Sequence, residues 1–459
     1  MMEPLKVNEI VQAVGGSLVM EGISSDAGEA RARGVSTDSR AIEEGEVFFA
    51  LVGKRADGHD FARDAFVKSG LPVVAARHLR GVPTILVDDT IEALGDLAKF
   101  YRRKLGTRTS AITGTNGKTT TKEMAASVLS TRYRVHKNRG NMNNLIGLPL
   151  SVLGISAADD LGVFEMGMSE RGEIARMCEV AEPLLGVITN VGPCHLESLG
   201  SIGNVAKAKG ELLDYLGPDG NAVLNFDDPV LKEMSRRTRA KVIGFAIETD
   251  AQVRAREISA GDWNVSFLLE STSVRFSVPL PGRFNVYNAL AAIGVGEAFG
   301  VSPPEASRAL ARFVPEKQRM NRVTLGGVTI IDDSYNANPA SVSCALEVLR
   351  DQSAVRRILI LGNMLELGSG SDSMHGEIGR KIKEFGIDIV LTYGQSAERT
   401  LDSAQEAGLE NGRGFDSKSD LVAAAKEMLK EGDVVLVKGS RGMGMEDVVR
   451  ELTRELKGR

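Results

Sequence analysis

Cysteine is scarce in this chain of 459 residues: Cys178, Cys194 and Cys344 are an odd number and never stand in a C-x-x-C. That argues against a disulfide framework and points to reduced thiols. No apolar run approaches the roughly 18 residues of a membrane span. The opening Met-Met-Glu-Pro-Leu-Lys lacks the apolar core of a signal peptide. The expectation is a cytoplasmic protein. Net charge is −5, with lysine and arginine scattered among acids, so there is no broad basic face and nucleic acid is not an expected partner. Internal repeats, low-complexity tracts and a G-x-G-x-x-G dinucleotide fingerprint are also missing.

What is present is a soluble globular composition, 42% hydrophobic and 25% charged. The length is too great for one core and suggests several domains. Fifty glycines suit many strand-to-helix turns. The expected fold class is α/β with three domains. Residues 1–107 read as a small α/β unit, with strand-like 45–52 and 83–87 and helical spacing over 91–105. Residues 108–315 alternate strands (111–113, 162–166, 185–190, 222–225) with helices (118–131, 170–180, 203–216) in the βαβ manner, giving a P-loop-type, mainly parallel sheet. Alternating residues over 265–269 and 274–278 predict an antiparallel patch at its edge, and helices over 284–298 and 304–313 close it. Residues 316–459 hold strands at 328–331, 357–361, 387–393 and 434–437 separated by helices, a second, Rossmann-like, mainly parallel sheet.

Residues 112–121 carry the most information: I-T-G-T-N-G-K-T-T-T. A short β-prone run leads into two glycines, a lysine and a row of threonines, and a helix-compatible stretch follows. Unpaired N–H groups and the positive dipole end of a helix start make a site for phosphate oxygens. Gly114 and Gly117 let the backbone approach an anion, Lys118 can reach β- and γ-phosphates, and the Thr119 hydroxyl can ligate Mg2+. The first glycine of the full Walker pattern is replaced by Ile112, so this is a shortened relative. The plain alternative is a glycine-rich turn before an ordinary helix.

Ligands of open α/β sheets collect at the carboxyl ends of the strands. After the second central strand comes Glu165-Met166-Gly167, and after the third comes T-N-V-G-P-C-H, ending at His195. Mg2+ favours oxygen ligands, which makes Glu165 the stronger candidate and His195 the weaker. Cys194-His195 as a nucleophilic pair is disfavoured, because adjacent residues of a strand point to opposite faces. The run N-R-G-N-M-N-N-L-I-G at 138–147 can bind a polar ligand or satisfy a turn, and the residues alone favour the turn. As a bare pattern, Lys207 and Lys209 are a solvated helix face.

Taken together, G-T-N-G-K-T-T-T, N-x-N-N-x-x-G, the E-M-G strand end, T-N-V-G-x-x-H-L-E and A-K-x-E resemble the Mur ligases, ATP-dependent amide-forming enzymes of peptidoglycan synthesis. S-T-D-S-R at 36–40, D-G-H-D-F at 57–61, D-D-S-Y-N-A-N-P at 332–339, L-G-N-M-L-E-L-G at 361–368 and V-K-G-S-R-G-M-G-M-E at 437–446 narrow the resemblance to the branch that adds D-alanyl-D-alanine to a UDP-N-acetylmuramoyl-tripeptide. The resemblance implies that Gly114, Thr115, Asn116, Gly117, Lys118, Thr119 and Thr120 hold the ATP phosphates. It implies that Thr119, Glu165 and His195 bind or orient Mg2+, and that a carbamylated Lys209 ligates a second ion; a carbamate supplies the oxygens an ammonium lacks. Asn288, Arg319 and Asp333 match positions contacting adenine, phosphate and ribose. Ser39 and Arg40 would sit near the uridine diphosphate, Asn143 and Asn144 at the muramoyl-peptide, and Asn336 and Asn338 near the incoming dipeptide. Lys118, Lys209 and His195 would be the catalytic set.

The activity so implied is transfer of the γ-phosphate to the tripeptide carboxylate, then attack of the D-alanyl-D-alanine amine on the acyl phosphate. The protein's part is positioning and charge compensation. The expected partners are those two substrates, ATP and Mg2+, with the chain acting as a monomer in cell-wall biogenesis and hence in cell shape and division. Rival readings are a ligase adding a single amino acid, a P-loop switch or motor ATPase that makes no bond, and a kinase, which would leave phosphate on a stable product.

Overall fold

The computed structural model describes residues 2–20, 28–53 and 56–458. Its centre is a nine-stranded sheet. From one edge to the other, the strands are Val274–Val278, Val265–Leu269, Val253–Ala260, Lys241–Ala246, Asn221–Asn225, Leu185–Ile188, Arg108–Thr113, Leu161–Glu165 and Val135–Lys137. Pairing is parallel from Val135–Lys137 as far as Val253–Ala260, and antiparallel for the last two pairs. The inner strands are buried on both faces, which is why they read as unbroken apolar runs rather than alternating ones.

The first strand of this sheet, Arg108–Thr113, lies inside it; the next two, Val135–Lys137 at the edge and Leu161–Glu165 between them, fall on one side and all later strands on the other. The order therefore reverses beside it, and such a switch point opens a crevice at the carboxyl ends. Register puts Ile112 opposite Glu165 and Thr113 opposite Ile188, so the loop after Thr113 emerges between Glu165 and Thr189. The expected antiparallel edge is present. The sheet is also wider than expected, because Lys241–Ala246, Val253–Ala260 and, at the far edge, Val135–Lys137 add three strands. The second of these hides its pattern: a bulge between Arg256 and Ser259, with Glu257 at φ 47°, breaks the two-residue alternation.

A six-stranded sheet follows, in the order Asn321–Leu325, Val328–Asp333, Asp433–Lys438, Arg356–Gly362, Ile389–Tyr393 and Asn411–Phe415. It is parallel except for the hairpin made by its first two members. The two edge strands were not expected. Their exposed, polar or glycine-rich residues (N-R-V-T-L and N-G-R-G-F) carry no strand signal of their own. Ahead of the nine-stranded sheet, Ser17–Val19, Thr84–Leu86 and Val73–Ala75 form a small sheet, and Gly34–Ser36 pairs with Glu46–Phe48.

Helix Thr90–Leu105 leads from this first part into the central sheet. Asp89 caps it by accepting from the N–H groups of Ile91 and Glu92 at 2.7 and 3.0 Å, and Gly106 ends it in the left-handed region. Its buried stripe of Ala93, Leu94, Leu97, Ala98 and Tyr101 belongs to a core that continues under the central sheet. On the opposite face a second core runs without a break from Val286 and Ala289 to Val342, Leu346 and Leu349 of helix Pro339–Arg350. Among the described residues no helix is long and apolar enough to cross a membrane.

Candidate active site at the sheet switch point

The 114–117 loop takes the shape only glycine permits at two places. Gly114 has φ 148° and Gly117 φ 81°. A Cβ at Gly114 would lie 1.9 Å from Thr189 Oγ1, and one at Gly117 would lie 2.3 Å from Asn288 Oδ1. Gly117 is also the N-terminal cap of helix Lys118–Leu129, so its first N–H groups face the crevice. The loop is pinned from the neighbouring strand end. Asn190 Oδ1 accepts from Asn116 N–H at 2.9 Å, Thr189 Oγ1 donates to the Asn116 carbonyl at 2.6 Å, and Thr115 Oγ1 accepts from Gly192 N–H at 2.9 Å.

Lys118 folds back over the loop, its Nζ donating to the carbonyls of Gly114 and Thr115 at 2.8 and 3.1 Å. The ammonium end is enclosed although the residue as a whole is half-buried. Burial pushes its pKa down, and the Glu165 carboxylate opposes that shift. Thr119 Oγ1 donates to Glu165 Oε2 at 2.7 Å, and Asn143 Nδ2 donates to Glu165 Oε1 at 2.8 Å. Thr120 is half-buried beside them. Asn288 stands beneath Gly117, with Oδ1 accepting from the Thr121 hydroxyl at 3.2 Å and Nδ2 donating to Asn285 at 3.0 Å.

Lys209 corrects the reading of a solvated helix face. It is 2% exposed on helix Ile202–Tyr215, whereas Lys207 is exposed. No protein acceptor among the described residues hydrogen-bonds its Nζ. Burial, with Lys118 nearby, brings its pKa down to about 7. His195 sits in a loop at φ 50°, heading the short helix Leu196–Leu199, so the strand argument used against Cys194-His195 does not apply. Its ring makes its close polar contact with the six-stranded unit, Nδ1 lying 2.6 Å from Glu366 Oε2, and the imidazole holds the Glu366 carboxyl below its usual range. Cys194 Sγ is 3.4 Å from Thr115 Oγ1.

The six-stranded unit closes over the loop. Asn338, the N-terminal cap of helix Pro339–Arg350, exchanges side-chain hydrogen bonds with Asn116 at 2.8 and 3.3 Å. Arg319 lies over the Tyr335 ring, 4.1 Å from its centroid. Asp333 pairs with Lys438, whose Nζ also donates to the Asn336 carbonyl at 2.9 Å. Asn336 Oδ1 accepts from Ala337 N–H at 2.9 Å, a local bond. Asn144 also serves a turn, its Oδ1 capping the N–H groups of Ile146 and Gly147 at the start of helix Gly147–Leu153. Ser39 and Arg40 lie in the first unit; the Ser39 carbonyl accepts from Lys68 at 2.8 Å and Arg40 pairs with Asp38. Sequence reasoning passed over Thr189, Asn190, Asn285 and Glu366. The T-N-V-G-P-C-H segment points to His195 at the strand end, although the two hydroxyl and amide side chains directly after the strand, Thr189 and Asn190, are a signal in themselves.

For Mg2+, the Thr119 hydroxyl and the Glu165 carboxylate are hard oxygen donors 2.7 Å apart, a set that fits the ion. Among the described residues no three His, Cys, Asp or Glu side chains cluster as a metal cage. A site that draws further ligands from water and phosphate matches the habit of Mg2+.

Three family models cover most of the chain: the Mur ligase family, catalytic domain over 31–102, the Mur ligase middle domain over 112–296 and the Mur ligase, glutamate ligase domain over 318–441. The chain belongs to the Mur ligase family. It is 39% identical to the UDP-N-acetylmuramoyl-tripeptide–D-alanyl-D-alanine ligase of Bacillus subtilis over 91% of this chain and 93% of that one. To the enzyme of the same name from Escherichia coli it is 34% identical, over 98% and 99%. The crystal structure of MurF from Acinetobacter baumannii superposes with a TM-score of 0.91 at 29% identity, covering 99% of both chains. MurF ligase from Thermotoga maritima in complex with ADP gives 0.83 at 29% identity, covering 95% of this chain and all 100% of that one.

Proposed function

We propose that this chain joins D-alanyl-D-alanine to UDP-N-acetylmuramoyl-tripeptide at the expense of ATP, completing the pentapeptide precursor of peptidoglycan. It is an ATP-dependent ligase that forms a C–N bond and releases ADP and phosphate. The observation that carries this reading is the cluster at the switch point: a glycine cradle, the Lys118 ammonium and the Thr119–Glu165–Asn143 chain of hydrogen bonds, all at one crevice.

Amide formation from a carboxylate is uphill in water, so the leaving oxygen is first phosphorylated. The cradle and Lys118 hold the triphosphate and offset its repulsion from the tripeptide carboxylate. The amine then attacks the acyl phosphate and phosphate departs. When bound, Mg2+ supplies charge compensation on the phosphates, held by Thr119 and Glu165, with His195 as a further donor. Lys209, near neutrality in its ionisation, is the amine suited to carbamylation, since only the uncharged form reacts with carbon dioxide. Asn288, Arg319 and Asp333 are assigned to the nucleotide, Ser39 and Arg40 to the uridine diphosphate, Asn143 and Asn144 to the muramoyl-peptide, and Asn336 and Asn338 to the dipeptide. We divide the chain into 1–107 for the nucleotide-sugar, 108–315 for ATP and 316–459 for the dipeptide. In this reading the enzyme works as a monomer in the cytoplasm.

The test is phosphate release with ATP and the tripeptide nucleotide, with and without D-alanyl-D-alanine, and mass spectrometry of the product. Release strictly dependent on the dipeptide, with a product heavier by its residue mass, is expected. Release independent of it, or a stable phosphorylated product, would sink the proposal.

A further inference from the structure

Strand Val135–Lys137 pairs with Leu161–Glu165 only as far as Lys137 opposite Val163. Beyond it the chain turns away into the 139–146 loop, and the Asn138 side chain takes the place of the missing main chain opposite Glu165. Asn138 Oδ1 accepts from Glu165 N–H at 2.9 Å, and Nδ2 donates to the Glu165 carbonyl at 3.0 Å. One amide thus replaces a peptide unit in the ladder. The second Nδ2 hydrogen goes to the Met142 carbonyl at 2.8 Å. The orientation is fixed by this set: turned over, Nδ2 would face an N–H and Oδ1 would face two carbonyls.

The loop closed in this way returns Asn143 to the site. Its carbonyl accepts from Gly167 N–H at 2.8 Å while its side chain donates to the Glu165 carboxylate. Asn138 is 1% exposed, so each of these bonds is made away from water. From the other side comes Lys122, fully buried and one helical turn beyond Lys118. Its Nζ donates to the Asn138 carbonyl at 2.8 Å and lies 2.8 Å from Glu123 and 3.7 Å from Glu316. Helix Lys118–Leu129 therefore grips Glu165 twice, directly through Thr119 and indirectly through Lys122 and Asn138. The Asn138 and Lys122 side chains hydrogen-bond nothing in the 114–117 loop.

We infer that Asn138, braced by Lys122, is a positioning residue for Glu165, and that it sets how tightly the site holds a divalent cation beside the nucleotide without itself touching cation or nucleotide. The inference rests on the proposed role of Glu165 as an oxygen donor. It is tested with the full chain as Asn138→Ala, and as Asn138→Asp, which keeps the acceptor for Glu165 N–H but loses both donors. Mn2+ binding in the presence of ADP is titrated by electron paramagnetic resonance, and metal-free ADP binding by calorimetry. The Mn2+ dissociation constant should rise about ten- to a hundredfold, the usual effect of removing a group that orients a metal ligand. Metal-free ADP affinity should stay at the wild-type value. Unchanged Mn2+ affinity in a folded variant overturns the inference. So does loss of metal-free ADP binding in both variants, because the residue would then only maintain the fold. A wild-type chain that binds Mn2+ yet releases no dipeptide-dependent phosphate would overturn the ligase reading and leave the positioning role standing.

Discussion

Two segments assigned to phosphate groups are built in opposite ways. Around Gly114–Lys118 the partners come from distant parts of the chain: Glu165, 2% exposed, is held by Thr119 and Asn143, and the loop backbone by Thr189 and Asn190. At Ser36–Arg40 the side-chain bonds of Asp38 and Arg40 are local, although the Ser39 carbonyl accepts from Lys68 and Ser36 pairs with Phe48. Asp38 accepts from Arg40 Nε at 2.9 Å and from Nη2 at 2.7 Å, the Arg40 side chain remains 87% exposed, and the guanidinium holds the Asp38 carboxyl down to about 2. The first segment is organised by folding itself, so a ligand meets donors already in place. The second presents an exposed guanidinium paired with Asp38 two residues away, and a ligand must draw it off that partner.

The sharpest way to break the contrast is Lys118→Ala. Removing a preorganised charge of this kind costs about a hundred- to a thousandfold in rate, read as dipeptide-dependent phosphate release. Wild-type turnover in that variant would mean the cradle is not where the chemistry occurs. Gly117→Ala comes next, because its Cβ would press on Asn288 Oδ1 and a left-handed φ disfavours any side chain. The strain is worth about 1–2 kcal/mol, so ADP affinity by calorimetry should fall roughly tenfold. Unaltered affinity would show that the loop rearranges freely.

A third test concerns Lys209. Its folded pKa of about 7 lies below that of an unfolded lysine, about 10.4. Between those values the unfolded chain binds a proton that the native state does not, so stability rises with pH across that window and the penalty is complete below it. In buffer free of carbon dioxide, Lys209→Met should raise the denaturation midpoint at pH 7, with the gain shrinking towards pH 10. A pH-independent difference would contradict the burial argument. The smallest structural effect belongs to Arg40→Ala. Stability should move by no more than about 0.5 kcal/mol, as for exposed residues generally, while KM for the nucleotide-sugar rises and kcat holds. A falling kcat with unchanged KM would remove Arg40 from substrate binding.

Much of the site was legible because its signals are local. Gly114, Gly117, Lys118 and Thr119 announce a helix-start anion site through residue type and spacing, and Glu165 follows from lying at the end of an apolar run. Lys209 was not legible: A-K-A-K-G-E-L-L looks solvated, and only packing of Ile202–Tyr215 against the sheet buries one lysine of the two. Asn138 was hidden for a related reason. Four asparagines in seven residues read alike, yet Asn144 caps a helix, Asn143 meets a carboxylate and Asn138 completes a strand pairing. Which does which depends on strand register, a property of two segments some 27 residues apart. The missed strands Lys241–Ala246 and Val253–Ala260 illustrate the same limit. Gly244 accommodates Phe226 rather than strand propensity, and the bulge at Arg256 resets the alternation.

The reciprocal amides of Asn116 and Asn338 carry a consequence for inhibitors. Each asparagine is both giver and receiver, so the pair is a self-complementary seam between the loop of the nine-stranded sheet and the six-stranded unit. Two such bonds are worth about 1–3 kcal/mol net, enough to favour the seam and too little to lock it. A rigid primary carboxamide wedged there would compete on equal terms with either side chain, and would hold the six-stranded unit off the 114–117 loop.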